Sequence, residues 1–196
     1  MKKEELFFMM DESVSDNKES IVDYMLSWTL RMSSVSDDGY NNLVQKYCSK
    51  ILSKIVFDDI HTIDQNYQCI QSVETWRQWN RIDLCAEIAF IDNENNISKH
   101  ALLMENKAYS CLHHDQLNKY KKTFEDHYKG TAFENNLHYV YFSIQDDLIA
   151  TDKVLCVEAN FQAYTMDEIR DCIMPLSEFK ATGNEIFDEF WIRNWG

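Results

Sequence analysis

The sequence predicts an α/β fold, a mixed central sheet flanked by helices. Three observations carry this. Apolar residues recur every three or four positions through 15–32 and 40–56, which is a helical period. Between 81 and 107 the period drops to two, across two strands and a turn. A helical stretch at 112–129 then leads into an apolar, β-branched and aromatic run at 138–144, as expected of a helix followed by a buried strand.

Each element follows from its residues. In 15–32, Ser15 or Asp16 supplies the cap, and Ile21, Val22, Met25, Leu26, Trp28 and Met32 form the apolar face. Ser33–Gly39 is a loop by composition. In 40–56, Leu43, Tyr47, Ile51 and Ile55 repeat every four residues, and Val44, Cys48 and Leu52 widen the stripe. Tyr67, Ile70, Val73, Thr75, Trp76 and Trp79 predict a strand over 67–79. In 81–91, Ile82, Leu84, Ala86, Ile88 and Phe90 point one way, while Arg81, Asp83, Cys85, Glu87 and Ala89 point the other. Asp92–Asn96 is a turn, and 99–107 is the return strand of a hairpin.

Leu117, Tyr120, Phe124 and Tyr128 line one face of the 112–129 helix, which Gly130 ends. Further on, 154–164 reads as one more strand, Asp167–Cys172 as a short helix before Pro175, and Glu185–Trp195 as a terminal amphipathic helix. No internal repeat is visible. The expectation is one domain over 1–196, with a core at about 15–145 and a C-terminal strand and helices over 150–196.

Composition narrows the function classes. The 196 residues are 45% hydrophobic and 13% aromatic with only 4 Gly and 1 Pro, which excludes a disordered or collagen-like chain and leaves little room for linkers. No apolar run approaches the roughly 20 residues of a membrane helix. The charged start Met1–Glu5, followed only by the apolar pair Phe7-Phe8, predicts no secretory leader and a cytoplasmic location. The six cysteines form no Cys-x-x-Cys pair and are expected as reduced, small core residues. Cys111 with His113 and His114 lacks the second ligand pair of a zinc site.

The net charge of −14 opposes an extended phosphate-binding surface. It is unevenly spread. Residues 99–129 hold 4 acids against 6 bases, the only net-positive segment, whereas 130–196 holds 12 acids against 4 bases. The positive segment includes Lys119, Lys121 and Lys122, and Lys119 and Lys122 are candidate phosphate contacts. A protein partner supplying basic surface is a second way to meet nucleic acid.

The strand at 99–107 ends in two opposite charges, Glu105 and Lys107, spaced to share one face. In the hairpin, the start of the 81–91 strand lies beside the end of its partner, so Asp83 comes close to both. Two neighbouring carboxylates repel unless a cation intervenes. A divalent metal such as Mg²⁺, which favours oxygen ligands and substrate phosphate, resolves that conflict, and an adjacent ammonium suits phosphodiester hydrolysis. Alone, Glu-x-Lys also reads as a surface ion pair, as at Glu178-Phe179-Lys180.

Asn80-Arg81-Ile82-Asp83-Leu84, Leu102-Leu103-Met104-Glu105-Asn106-Lys107 and Asp115-Gln116-Leu117-Asn118-Lys119-Tyr120 together resemble the PD-(D/E)XK nuclease superfamily, and within it the bacterial branch with Arg-Ile-Asp, Glu-Asn-Lys and Gln-Leu-x-x-Tyr motifs. Ile82 stands where the motif's name has proline. The resemblance implies a restriction-endonuclease-like fold and a nuclease dependent on Mg²⁺ (or Mn²⁺), with DNA the expected substrate. It makes Asp83 and Glu105 metal ligands, with the backbone carbonyl of Asn106 as a further ligand. It gives Lys107 the attacking water, and Gln116 the orientation of substrate or lysine. An acid from the first helix often joins such sites, and Glu19 fits; it reads equally as a solvated first-turn acid.

Arg81 is expected either to contact phosphate or to pair with Glu74 or Glu87. His113 and His114 read as exposed first-turn residues, and Trp76 and Trp79 as packing residues rather than base-stacking platforms. The competing function is a non-catalytic module on the same fold, binding or regulating within a defence or repair assembly. Hydrolysis of a small phosphorylated substrate is disfavoured, because no Gly-rich phosphate loop is present.

Overall fold

In a computed structural model, the structure describes residues 18–34, 42–108, 110–173 and 181–192. Two helices come first, α1 (Lys18–Met32) and α2 (Asn42–Phe57), then a short α3 (Thr62–Asn66). Three strands follow: β1 (Tyr67–Trp79), β2 (Ile82–Asp92) and β3 (Ile97–Lys107). The remainder alternates α4 (Gln116–Tyr128), β4 (Leu137–Ser143), α5 (Ala150–Ala159), β5 (Gln162–Thr165) and α6 (Met166–Ile173). The three-residue helix α7 (Glu185–Phe187) runs into one wider π-helical turn, Asp188–Ile192.

The five strands lie in sequence order. β1, β2 and β3 are antiparallel neighbours, whereas β3–β4 and β4–β5 are parallel. The parallel pairs are joined through α4 and α5, as crossover connections require. The expected mixed sheet between helices is therefore what forms.

Each face of the sheet buries its own core. Leu84, Ala86, Ile88, Phe90, Leu102, Met104, Val140 and Phe142 pack with α1, α2, α6 and the C-terminal Phe187, Phe190 and Trp191. Cys85, Ala101, Leu103 and Tyr141 pack on the opposite side with Leu117, Phe124 and Tyr128 of α4 and Cys156 and Ala159 of α5. β3 is the middle strand, so it is buried on both faces from His100 to Lys107. A strand end that would normally be wet is thereby dry.

Three boundaries differ from expectation. The stretch 154–164 is not one strand: it is the end of α5, a turn and β5. Val154, Leu155 and Val157 suggest a strand, but Asp152, Cys156 and Ala159 are the buried positions, at helical spacing. Asn160 (φ 59°) then ends the helix in the left-handed conformation and starts β5. Helix α4 begins at Gln116 rather than 112, because Asp115 and the residues before it form the loop from β3. Ile82 joins the α4-side core rather than the side of Leu84. The preceding Gln78, Asn80 and Arg81 have positive φ (55°, 51° and 71°), so the regular alternation starts only after that wrapped turn.

The C-terminal helix is described only as α7 and its π-helical turn, to Ile192. Ser15, Asp16, Pro175 and the Glu178-Phe179-Lys180 pair lie outside the described residues. Among the cysteines, Cys48, Cys85 and Cys156 are buried as expected, but Cys69, Cys111 and Cys172 are exposed. They occupy solvent-facing positions on β1, the β3–α4 loop and α6, where no core position is offered.

Candidate active site

The hairpin register decides the site. Asp92 closes the turn, its Oδ1 accepting from the backbone N–H groups of Glu94 and Asn96 at 2.8 Å each. Pairing then runs from Ile91 opposite Ile97 to Leu84 opposite Met104. Asp83 consequently sits across from Glu105, at the start of β2 and the carboxyl end of β3. In open sheets with parallel strands, ligands bind at such carboxyl ends.

Glu105 is fully buried. Its Oε1 accepts from Gln116 Nε2 on α4 at 2.5 Å and pairs with Lys107 Nζ at 2.6 Å. Its Oε2 is buried and receives no N–H donor among the described residues, and the Asp83 carboxyl lies within hydrogen-bonding range of the Glu105 carboxyl. Burial, reinforced by the neighbouring Asp83 carboxylate, pushes the Glu105 carboxyl up to about 8, although Lys107 pulls the other way. Burial alone would lower Lys107, but Glu105, Asp83 and Glu19 outweigh it and hold the ammonium above its ordinary value. Lys107 is thus a cation at neutral pH.

Asn106 ties the two strands to α1. Its backbone N–H donates to Asp83 Oδ2 at 3.0 Å, and Gln78 Nε2 donates to Asp83 Oδ1 at 3.2 Å. The Asn106 side-chain amide turns to the opposite face, donating to the Glu19 carbonyl at 3.2 Å and to Asp23 Oδ1 at 3.1 Å. Glu19 reaches round the strand end, where its Oε1 accepts from Ala108 N–H at 3.3 Å and Ser110 Oγ at 2.7 Å.

Among the expected residues, Asp83, Glu105, Asn106, Lys107, Gln116 and Glu19 therefore converge. The others do not join them. Lys119 is exposed and pairs with Asp115 at 3.4 Å, and Lys122 is exposed one turn further along α4. Lys121 is turned away, donating to the Ala159 carbonyl at 3.1 Å. Arg81 is exposed and has no ion pair with Glu74 or Glu87; Glu87 instead accepts from Tyr128. Trp76 and Trp79 are half-buried against the α4-side core, the packing position expected of them.

Asp23 is the residue that no sequence signal marked. It is 2% exposed, and its carboxyl is pushed up to about 7 by burial and then by Asp83, against the hydrogen bond from Asn106. Its spacing was the available clue, since it lies one helical turn after Glu19 on a helix whose neighbouring Val22 is core.

The donor set suits a hard divalent cation. Two crowded carboxyl groups, of which Asp83 raises the proton affinity of Glu105, and an adjacent backbone carbonyl are oxygen ligands of the kind Mg²⁺ takes. Among the described residues, no group of three or more His, Cys, Asp or Glu side chains is placed to hold a metal ion. The fit therefore rests on two carboxylates and a carbonyl.

The family model of the PD-(D/E)XK nuclease superfamily matches residues 8–176. No curated protein matches, and no solved structure matches. No helix among the described residues is long and apolar enough to cross a membrane.

Proposed function

The chain belongs to the PD-(D/E)XK nuclease superfamily, and on that premise we propose that it hydrolyses phosphodiester bonds of nucleic acid, DNA foremost, with Mg²⁺ or Mn²⁺. The observation that carries this reading is the fully buried Glu105 carboxyl crowded against Asp83 and Lys107, with an Oε2 that receives no N–H donor among the described residues. Leaving a buried acceptor unpaired costs free energy, and a ligand cation offsets that cost.

Asp83, Glu105 and the Asn106 carbonyl would hold the ion, and Glu19 would join them from α1. When bound, such an ion would supply Lewis-acid polarisation of a phosphate and would lower the pKa of a water. The remaining work falls to side chains. Lys107, a fixed ammonium, orients the attacking water and balances the charge that develops on the phosphate. Gln116 holds Glu105 by one oxygen and so aims the other at the ion. Arg81, Lys119 and Lys122 are the exposed cations available to the flanking phosphates.

The charge of −14 supports a short phosphate footprint, or a partner protein that lends basic surface. Cleavage of labelled DNA by the parent protein, Asp83→Ala and Lys107→Ala tests the assignment. Activity in the parent and its loss in both variants is expected. A parent that binds neither Mn²⁺ nor Mg²⁺ and cuts nothing would instead favour a non-catalytic module on this fold.

A further inference from the structure

Asp23 sits one helical turn from Glu19 on α1, buried where Glu19 is half-exposed. Its Oδ1 accepts from Asn106 Nδ2, and the same amide also donates to the Glu19 carbonyl. Both N–H groups of the Asn106 side chain are thus committed to α1. The backbone N–H of Asn106 meanwhile holds Asp83. One residue between Glu105 and Lys107 thereby links α1, β2 and β3.

A buried carboxylate is an expensive way to fill a helix–sheet contact, since an apolar side chain of similar volume would do so at lower cost. Asp23 is placed where only an acceptor satisfies the Asn106 amide. With that acceptor removed, the Asn106 amide keeps only the Glu19 carbonyl, and the strand end that presents both the Asp83 contact and the Asn106 carbonyl is held less tightly to α1. Displacements of about 1 Å in such supports are enough to lower turnover by roughly 100-fold.

We propose that Asp23 is a positioning residue for phosphodiester hydrolysis, acting through Asn106 to fix the strand end at which Asp83, Glu105 and the Asn106 carbonyl face the cation. This rests on the nuclease reading. The role needs a hydrogen-bond acceptor rather than a charge, which separates Asp23→Asn from Asp23→Ala.

The experiment compares the parent, Asp23→Ala, Asp23→Leu and Asp23→Asn in steady-state DNA cleavage with Mg²⁺, in calorimetric titration with Mn²⁺ and in thermal melting. Support for an outer contact of this kind is typically lost as a factor of about 10–100 in activity or metal affinity. Asp23→Ala is therefore expected to lower kcat at least about tenfold with KM for DNA within about threefold, and to weaken Mn²⁺ binding at least about fivefold. Asp23→Asn is expected to stay within about threefold of the parent on each measure. Asp23→Leu, which fills the volume without an acceptor, replaces Asp23→Ala if the latter does not fold. Parental activity in Asp23→Ala or Asp23→Leu overturns the proposal, and so does an Asp23→Asn as impaired as they are. If the parent itself cleaves nothing, the nuclease reading fails, and the Mn²⁺ titration decides alone: equal affinities in parent and Asp23→Ala overturn the positioning role. A parent that neither cleaves nor binds Mn²⁺ overturns both.

Discussion

Asn106 donates its backbone N–H to Asp83 Oδ2 at 3.0 Å, so the start of β2 is bonded to the end of β3 at the point where the sheet's acidic residues meet. That bond lies just beyond the regular ladder, whose last pair is Leu84 opposite Met104. It continues the register into the site and keeps Asp83 beside Glu105.

Gln116 holds Glu105 Oε1 and also donates to Tyr120 Oη at 3.3 Å. Gln116→Ala is expected to lower cleavage about 10–100-fold, because Gln116 orients Glu105, the proposed metal ligand. Its melting temperature should stay within a few degrees of the parent, since Gln116 lies at the mouth of the site and not in either core. Paired activity and melting measurements check this.

His100 and His138 form a second buried network, near the other end of β3 and β4. Their rings stack with centroids 5.2 Å apart, and His100 Nδ1 lies 2.9 Å from His138 Nε2. Ser98 Oγ satisfies His100 Nε2 at 2.9 Å, and the His138 ring bonds the Val56 backbone. Burial lowers both imidazoles from 6.5 to about 4; for His100 the neighbouring His138 adds to the effect. In the unfolded chain both protonate near 6.5, so that state binds more protons between pH 6.5 and 4. Their contribution to stability is thus complete above pH 6.5 and falls as the pH drops toward 4, at up to about 1.4 kcal/mol per pH unit for each imidazole. Glu105 and Asp23, raised to about 8 and about 7, shift stability the opposite way over this range, so the histidine contribution is read as a difference: in urea unfolding at pH 7 and pH 5 the parent should lose stability relative to a variant with both histidines replaced by glutamine.

Trp191 is 1% exposed and donates from Nε1 to Thr29 Oγ1 at 2.9 Å, pinning the C-terminal turn to α1. Trp191→Phe removes that donor and part of the ring. The expected cost is about 2–3 kcal/mol of stability, combining a lost buried hydrogen bond with a small cavity. Denaturant midpoints of the two proteins give the value.

Asn160 holds φ 59° where α5 ends and its backbone N–H bonds back to Cys156 and Val157. Asn160→Gly should leave stability within about 0.5 kcal/mol, because glycine takes this conformation freely. Asn160→Val should cost about 1–3 kcal/mol, the strain of a β-branched residue in the left-handed region. Thermal melting of both variants distinguishes a strained turn from an indifferent one.

The sequence made the site legible where periodicity and charge conflict. The two-residue alternation through Leu84–Phe90 set the register that brings Asp83 to Glu105, and a glutamate and a lysine at the end of an apolar strand stood out against that pattern. Gln116 was legible only through its motif, since nothing local distinguishes it from other first-turn glutamines. Asp23 was not legible, because an acid on a helix is usually solvated, and its burial depends on the strand end that Asn106 presents to α1. The stretch 154–164 misled for a related reason: β-branched residues favour a strand locally, yet the crossover from β4 to β5 needs a helix there. The exposed positions of Lys119 and Lys122 follow the charge pattern, whereas the inward turn of Lys121 onto Ala159 depends on α5 packing.

The central claim is a cation-dependent phosphodiesterase centred on Asp83, Glu105 and Lys107. Its most direct test is a cleavage assay of single-stranded DNA, duplex DNA and RNA by the parent protein, with and without Mg²⁺. Cleavage of DNA that requires the ion and stops on chelation is predicted. Cleavage that persists unchanged under chelation, or no cleavage of any of these substrates with Mg²⁺ or Mn²⁺ present, would contradict the account.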